Sequence, residues 1–155
     1  MAIALAALGC GGGGNAPAPS DDSVTTVTGH LRLAGSAPLE QVMIQPEDST
    51  RAELEAVGEY QGELKRLSGA KVKATGKLSN ERLSVSAYEI LEIAGHVPLV
   101  GEVVVSGMNV SIVTDEGEEL GLPRVPELMT LEGAKVWVIL DSSGAVTGYG
   151  VIRER

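Results

Sequence analysis

The chain has 155 residues with a formal charge of −9, 20 glycines, three tyrosines, one tryptophan and no phenylalanine. That length holds one domain or two small ones, and the acidity argues against nucleic acid or an anionic membrane surface as partner, since phosphate binding draws its affinity from clustered Lys and Arg. No apolar run reaches the roughly 18 residues of a membrane-spanning helix, and a single cysteine, Cys10, leaves no intramolecular disulfide to stabilise the fold.

In chain order, Met1 to Leu8 is apolar and runs into Gly9 and Cys10. An apolar run ending in small residues is the second half of a secretory signal. Ala7-Leu8-Gly9-Cys10 resembles the bacterial lipoprotein cleavage box. The resemblance implies that the Cys10 thiol takes a diacylglyceryl group and becomes the new N-terminus, so that residues 1–10 are a lipoprotein-type signal. It also implies a place in the cell envelope, with Gly11 after the cysteine permitting export to the outer membrane, periplasmic side. Residues 11–22 are rich in Gly, Pro, Ala and Ser. Such a stretch buries little apolar area and reads as a tether holding a folded body off the bilayer.

Beyond the tether the chain repeats itself. Glu63-Leu64-Lys65-Arg66-Leu67-Ser68-Gly69-Ala70-Lys71-Val72 returns as Glu127-Leu128-Met129-Thr130-Leu131-Glu132-Gly133-Ala134-Lys135-Val136, identical at seven of ten positions at an offset of 64. The repeat predicts two copies of one small β-rich domain, residues 23–94 and 95–155. In the first copy, alternation predicts strands over Val27 to Leu33 and Gln41 to Gln45. A third is expected over Arg51 to Val57. A short helical stretch follows over Tyr60 to Leu67, with Leu64 and Leu67 on one side. The last two strands are Ala70 to Leu78 and Leu83 to Leu91, turned by Ser79-Asn80-Glu81. In the second copy the strands fall at Leu99 to Val105, Val110 to Thr114, Ala134 to Leu140 and Ala145 to Ile152, with a helical turn over Glu127 to Leu131. Its third strand has no clear position.

Five short strands with a small helix between the third and fourth is the order of an OB-fold. The expected fold class is therefore all-β with small helical turns only: two tandem five-stranded OB-like Greek-key barrels. SH3-like or sandwich domains are the competing architecture. Leu67-Ser68-Gly69-Ala70-Lys71-Val72-Lys73-Ala74-Thr75-Gly76, followed by Leu83-Ser84-Val85 and Tyr88-Glu89-Ile90-Leu91, is similar to small exported bacterial OB-like domains of unassigned role. The second copy departs at Leu140, which stands where the first has Gly76.

On the fourth strand of the first copy Ala70, Val72 and Ala74 should point inward and Lys71, Lys73 and Thr75 outward. The corresponding outward set in the second copy is Lys135, Trp137 and Ile139, and on its first strand Val104 replaces the outward Arg32. A Trp, Ile and Val patch marks a contact. Val104, Trp137 and Ile139 are accordingly expected to form an interface, with the first copy or with an envelope protein. The competing reading runs the second copy in opposite phase and makes Trp137 core.

No catalytic, metal or cofactor set is read from the chain. His30 and His96 have no neighbouring Cys or His. Asp115-Glu116-Gly117-Glu118-Glu119 lacks calcium-loop spacing and reads as a solvated acidic hairpin. No serine lies in Gly-x-Ser-x-Gly, and Gly11 to Gly14 lacks the Lys-Ser/Thr of a phosphate loop. Lys65, Arg66, Lys71, Lys73, Lys77 and Arg82 make the first copy locally basic, but stacking aromatics are scarce there. The expectation is a non-enzymatic envelope lipoprotein acting as a binding or structural module. The alternative is a small-ligand carrier or enzyme accessory subunit using a groove between the copies.

Overall fold

The computed structural model describes residues 24–155; the expected signal and tether, with Cys10, lie outside the described residues. The first unit contains β1 (Val24–Ala34), β2 (Gln41–Pro46), β3 (Leu54–Val57), α1 (Gln61–Arg66), β4 (Lys71–Ser79) and β5 (Arg82–Glu92). The second contains β6 (Leu99–Ser106), β7 (Asn109–Val113), β8 (Glu119–Leu122), α2 (Pro126–Met129), β9 (Lys135–Leu140) and β10 (Val146–Arg153). The protein is therefore mostly β, as its alternating patterns predict. Among the described residues no helix is long and apolar enough to cross a membrane.

The repeated phrase has the same local structure in both places. Leu64 and Leu128 are fully buried beneath their short helices. Gly69 and Gly133 both turn the chain at positive φ, +91° and +77°, where a Cβ is disfavoured. Each glycine N–H then donates to the first strand of its own unit, Gly69 to Leu31 O and Gly133 to Val103 O, both at 2.8 Å. Leu31 N–H returns a bond to Ala70 O at 2.8 Å, and Val103 N–H to Ala134 O at 3.0 Å. This clamp fixes the helix, the turn and the next strand against the first strand in each unit.

In the first unit β1 pairs with both β2 and β4, and the five strands close into a barrel in the order β1-β2-β3-β5-β4. Closure comes from β3 and β5, which pair in parallel through Glu55–Arg82, Ala56–Leu83 and Val57–Ser84. The inward phase of β4 is as expected: Ala70, Val72 and Ala74 are buried. The β4–β5 hairpin turns at Asn80 and Glu81, both at positive φ, which suits the twist of a two-residue hairpin. The third strand begins later than its sequence suggests. Asp48 Oδ1 accepts from Thr50 N–H and Thr50 Oγ1 at 3.0 and 2.6 Å, and Arg51 N–H bonds Asp48 O, so residues 48–51 are a turn.

The second unit keeps the strand order but not the closure. It is an open sheet, β10-β9-β6-β7-β8, where a second closed barrel was expected. The physical reason lies in the last hairpin. In the first unit a β-bulge at Thr75/Gly76 lets β4 run on to Ser79 and β5 start at Arg82, and residues 82–84 of that extension meet β3. In the second unit β9 stops at Leu140, the position of Gly76. Asp141 then folds the chain back, its Oδ1 accepting from Ser143 N–H at 2.8 Å and Ala145 N–H at 3.0 Å. The Ser143 hydroxyl, which donates to the same oxygen at 2.6 Å, and then the two backbone N–H groups hold the Asp141 carboxyl below the usual carboxylate range. The strand segment that would meet β8 is absent.

Candidate interface at the joint between the two units

The link between the units is short. Ile93 and His96 form a two-way bridge, N–H to O at 2.8 and 3.0 Å, with Ala94 and Gly95 at positive φ between them. Such a turn brings β6 back against the first unit.

Trp137 sits on β9 between Val136 and Val138, both buried in the second unit's own core. Alternation therefore turns Trp137 to the other face of the sheet. There it lies beside Val100 of β6 and Gly150 of β10, its partners in the ladder. Gly150 is glycine for a packing reason: a Cβ there would stand 2.7 Å from the indole ring atoms. Val100 and Trp137 pack against the cluster formed by the first barrel's core, and Ile152 of β10 is buried as a member of it. One apolar cluster thus spans both units.

Polar contacts frame the cluster. Glu63 on α1 receives the Tyr88 hydroxyl at 2.5 Å on one oxygen and Arg153 Nη1 at 3.1 Å on the other. Arg66, one helical turn on, pairs with Glu154 at 2.9 Å. Tyr60 meets Tyr88 edge to face, with centroids 5.4 Å apart. Burial first, then the hydrogen bond to Glu63, pushes the Tyr88 hydroxyl well above its usual range; the charges of Glu63 and Asp115 add to the shift and Arg153 opposes it. A folded-state value above the unfolded value of about 10 means stability is intact below that pH and falls as the unfolded chain ionises above it. Urea unfolding should show a loss of stability above about pH 10 that Tyr88→Phe reduces; an unchanged alkaline slope in the variant would contradict this role.

The three residues expected to form a patch are not all together. Trp137 and Ile139 share a face, both within 3.8 Å of the point where a Gly148 Cβ would stand, and Ile139 is buried. Val104 is half-buried further along β6, opposite Ser111, where it borders a shallow depression with Glu132, Gly133 and Arg155. Residues missed from sequence are Ile152, Tyr88, Glu63 and Arg153. One local signal was available: Gly148 and Gly150 alternate along a strand, leaving room on a single face for a large partner.

Elsewhere the charged groups are largely answered by one another. Asp115 accepts from Lys135 Nζ at 2.7 Å and Glu119 from Ser111 at 2.6 Å, and among the described residues no group of three or more metal-ligating side chains forms. On the first unit Arg32 is bidentate to Glu53, while Lys65, Lys71 and Arg82 pair with Glu40, Glu47 and Glu55 at 2.6, 2.5 and 2.8 Å. Compared with protein-family models, curated proteins and solved structures, the chain matches none.

Proposed function

We propose that this chain is a non-enzymatic, exported bacterial lipoprotein, held in the envelope by a lipid on Cys10 and acting as a binding or structural module through two tandem OB-like units. The observation that carries the module reading is the joint. An apolar cluster shared between the units, with Glu63–Arg153 and Arg66–Glu154 beside it, presents two small sheets as one body with a fixed surface. In the sequence that body follows the Gly/Pro/Ala-rich stretch suited to a tether. The carrier alternative would use a groove between the units; Val100, Trp137 and Ile152 pack there against the first barrel's core, and the depression left between α1 and β10 is bordered by Glu63, Arg66, Arg153 and Glu154.

Anchoring is tested on the native host. Wild-type protein is expected in the membrane fraction, with a lipidated N-terminal Cys10 by mass spectrometry, and Cys10→Ser should move it to the soluble fraction. A wild-type chain that is soluble and retains Met1 would refute the anchor. Crosslinking from the surface of the membrane-bound protein then tests the module; an enzyme turnover traced to this chain would refute that part.

A further inference from the structure

The open seam of the second unit corresponds to the closed seam of the first, because β6, β7 and β8 pair in the same register as β1, β2 and β3. Leu31, Ile44 and Leu54 stand abreast in the first unit, as Val103, Ile112 and Leu120 do in the second. Leu120, Gly121 and Leu122 therefore correspond to Leu54, Glu55 and Ala56. In the first unit Leu54 and Ala56 are buried, covered by a strand that brings Leu83 and Val85 into the core. In the second, Leu120 and Leu122 are only half-buried, and β8 pairs with β7 alone.

The backbone carries the same signature. Glu55 N–H donates outward to Glu81 O at 2.9 Å, beginning the closing ladder. Thr114 N–H bonds Glu118 O across the β7–β8 turn, so by antiparallel alternation Glu118, Leu120 and Leu122 face β7, whereas Glu119 and Gly121 turn their N–H and C=O groups to the open edge. Gly121 thus holds the position from which Glu55 donates. A Cβ at Gly121 would meet nothing within 4 Å.

We infer that the β8 edge receives an extended peptide segment of a partner protein, added parallel to β8, with apolar residues at alternate positions and Lys or Arg toward its N-terminal end. The first unit supplies the template: Arg82 opposite Glu55, then Leu83 and Val85 pointing inward. The charge preference follows from Glu116, Glu118 and Glu119, exposed at the end of β8 where the peptide would enter, against the single cation Arg124 at the other end. A second copy of this chain would bring the same acidic turn and a charge of −9 to the seam, which disfavours it as the occupant. Strand addition takes affinity from main-chain hydrogen bonds and selectivity from alternate side chains.

The inference deepens the module reading by naming the chemistry of the partner. The probe is a capped synthetic peptide with the sequence of residues 82–88, Arg-Leu-Ser-Val-Ser-Ala-Tyr, titrated into the isotopically labelled full chain. Saturable amide shifts centred on β8 and the start of β10 are expected, weakening with added salt and weaker for a peptide carrying Arg82→Glu. In the protein, Gly121→Pro should weaken binding about tenfold by removing one outward donor. Gly121→Ala, which fits the open space, should bind as the wild type does. Absence of saturable shifts at β8, or equal binding by Gly121→Pro, would overturn the inference. So would a dimer in sedimentation that Gly121→Pro abolishes, since the seam would then hold a second copy. A module whose crosslinked partner contacts only other surfaces would survive that failure.

Discussion

Trp137→Lys is expected to loosen the two units from each other while leaving the second unit's sheet folded. The indole is wedged over Gly148 and Gly150 and packs against the apolar cluster centred on the first barrel. Replacing it removes that contact and puts an ammonium in its place. Full truncation of a core Trp costs about 3–5 kcal/mol; this one is only half-buried, so a loss of about 2–3 kcal/mol is expected, concentrated in the coupling between units. Urea unfolding should change from one transition toward two, and amides of α1 and β10 should exchange faster, while the methyls of Val136 and Val138 keep their native shifts. Collapse of the second unit's own sheet would instead place Trp137 in that core. Unchanged cooperativity would show that the joint carries no coupling.

Gly76→Leu, which installs the residue the second unit carries at Leu140, should open the first barrel. A Cβ at Gly76 would lie 2.1 Å from Ser84 O and 2.7 Å from its carbonyl carbon. The obstacle is backbone in the neighbouring strand, so rotation of a side chain offers no relief. Overpacking in a core commonly costs about 1–3 kcal/mol; a clash with a hydrogen-bonded ladder should reach about 3 kcal/mol or more. The specific readout is the Glu55 amide, which donates to Glu81 O across the closing seam. Its protection from exchange should fall more than that of β1 amides. A variant as stable as wild type, with the Glu55 amide still protected, would mean that the bulge at Gly76 does not govern closure.

The elements that sequence made legible are those whose determinants lie within about ten residues. Alternation placed Val72 and Ala74 inside β4. Leu64 and Leu67, three residues apart, both face the core from the short helical segment. Asn80 and Glu81 marked a turn, and the echo of the Glu63 phrase at Glu127 located a second clamp of the same geometry. The outward direction of Trp137 was also legible, because Val136 and Val138 copy the phase of Val72 and Ala74. Val104 was grouped with it on phase alone. Phase assigns a face but not a position along the strand, and Val104 lies four residues beyond Val100, the neighbour of Trp137. The network at Glu63 was invisible for another reason: Arg153 is 90 residues away in the chain, and nothing local to either residue encodes the other.

Local pattern and internal repetition thus determined that the chain builds two related β units and which faces of their strands are apolar, since those properties follow from side-chain periodicity. Tertiary structure alone decided that one unit closes and the other stays open, and that the outer face of the second unit packs against the first. Both outcomes depend on strands far apart in sequence meeting at a seam. A single residue, Gly76 against Leu140, marks where the two copies part, through a backbone approach that no periodicity records.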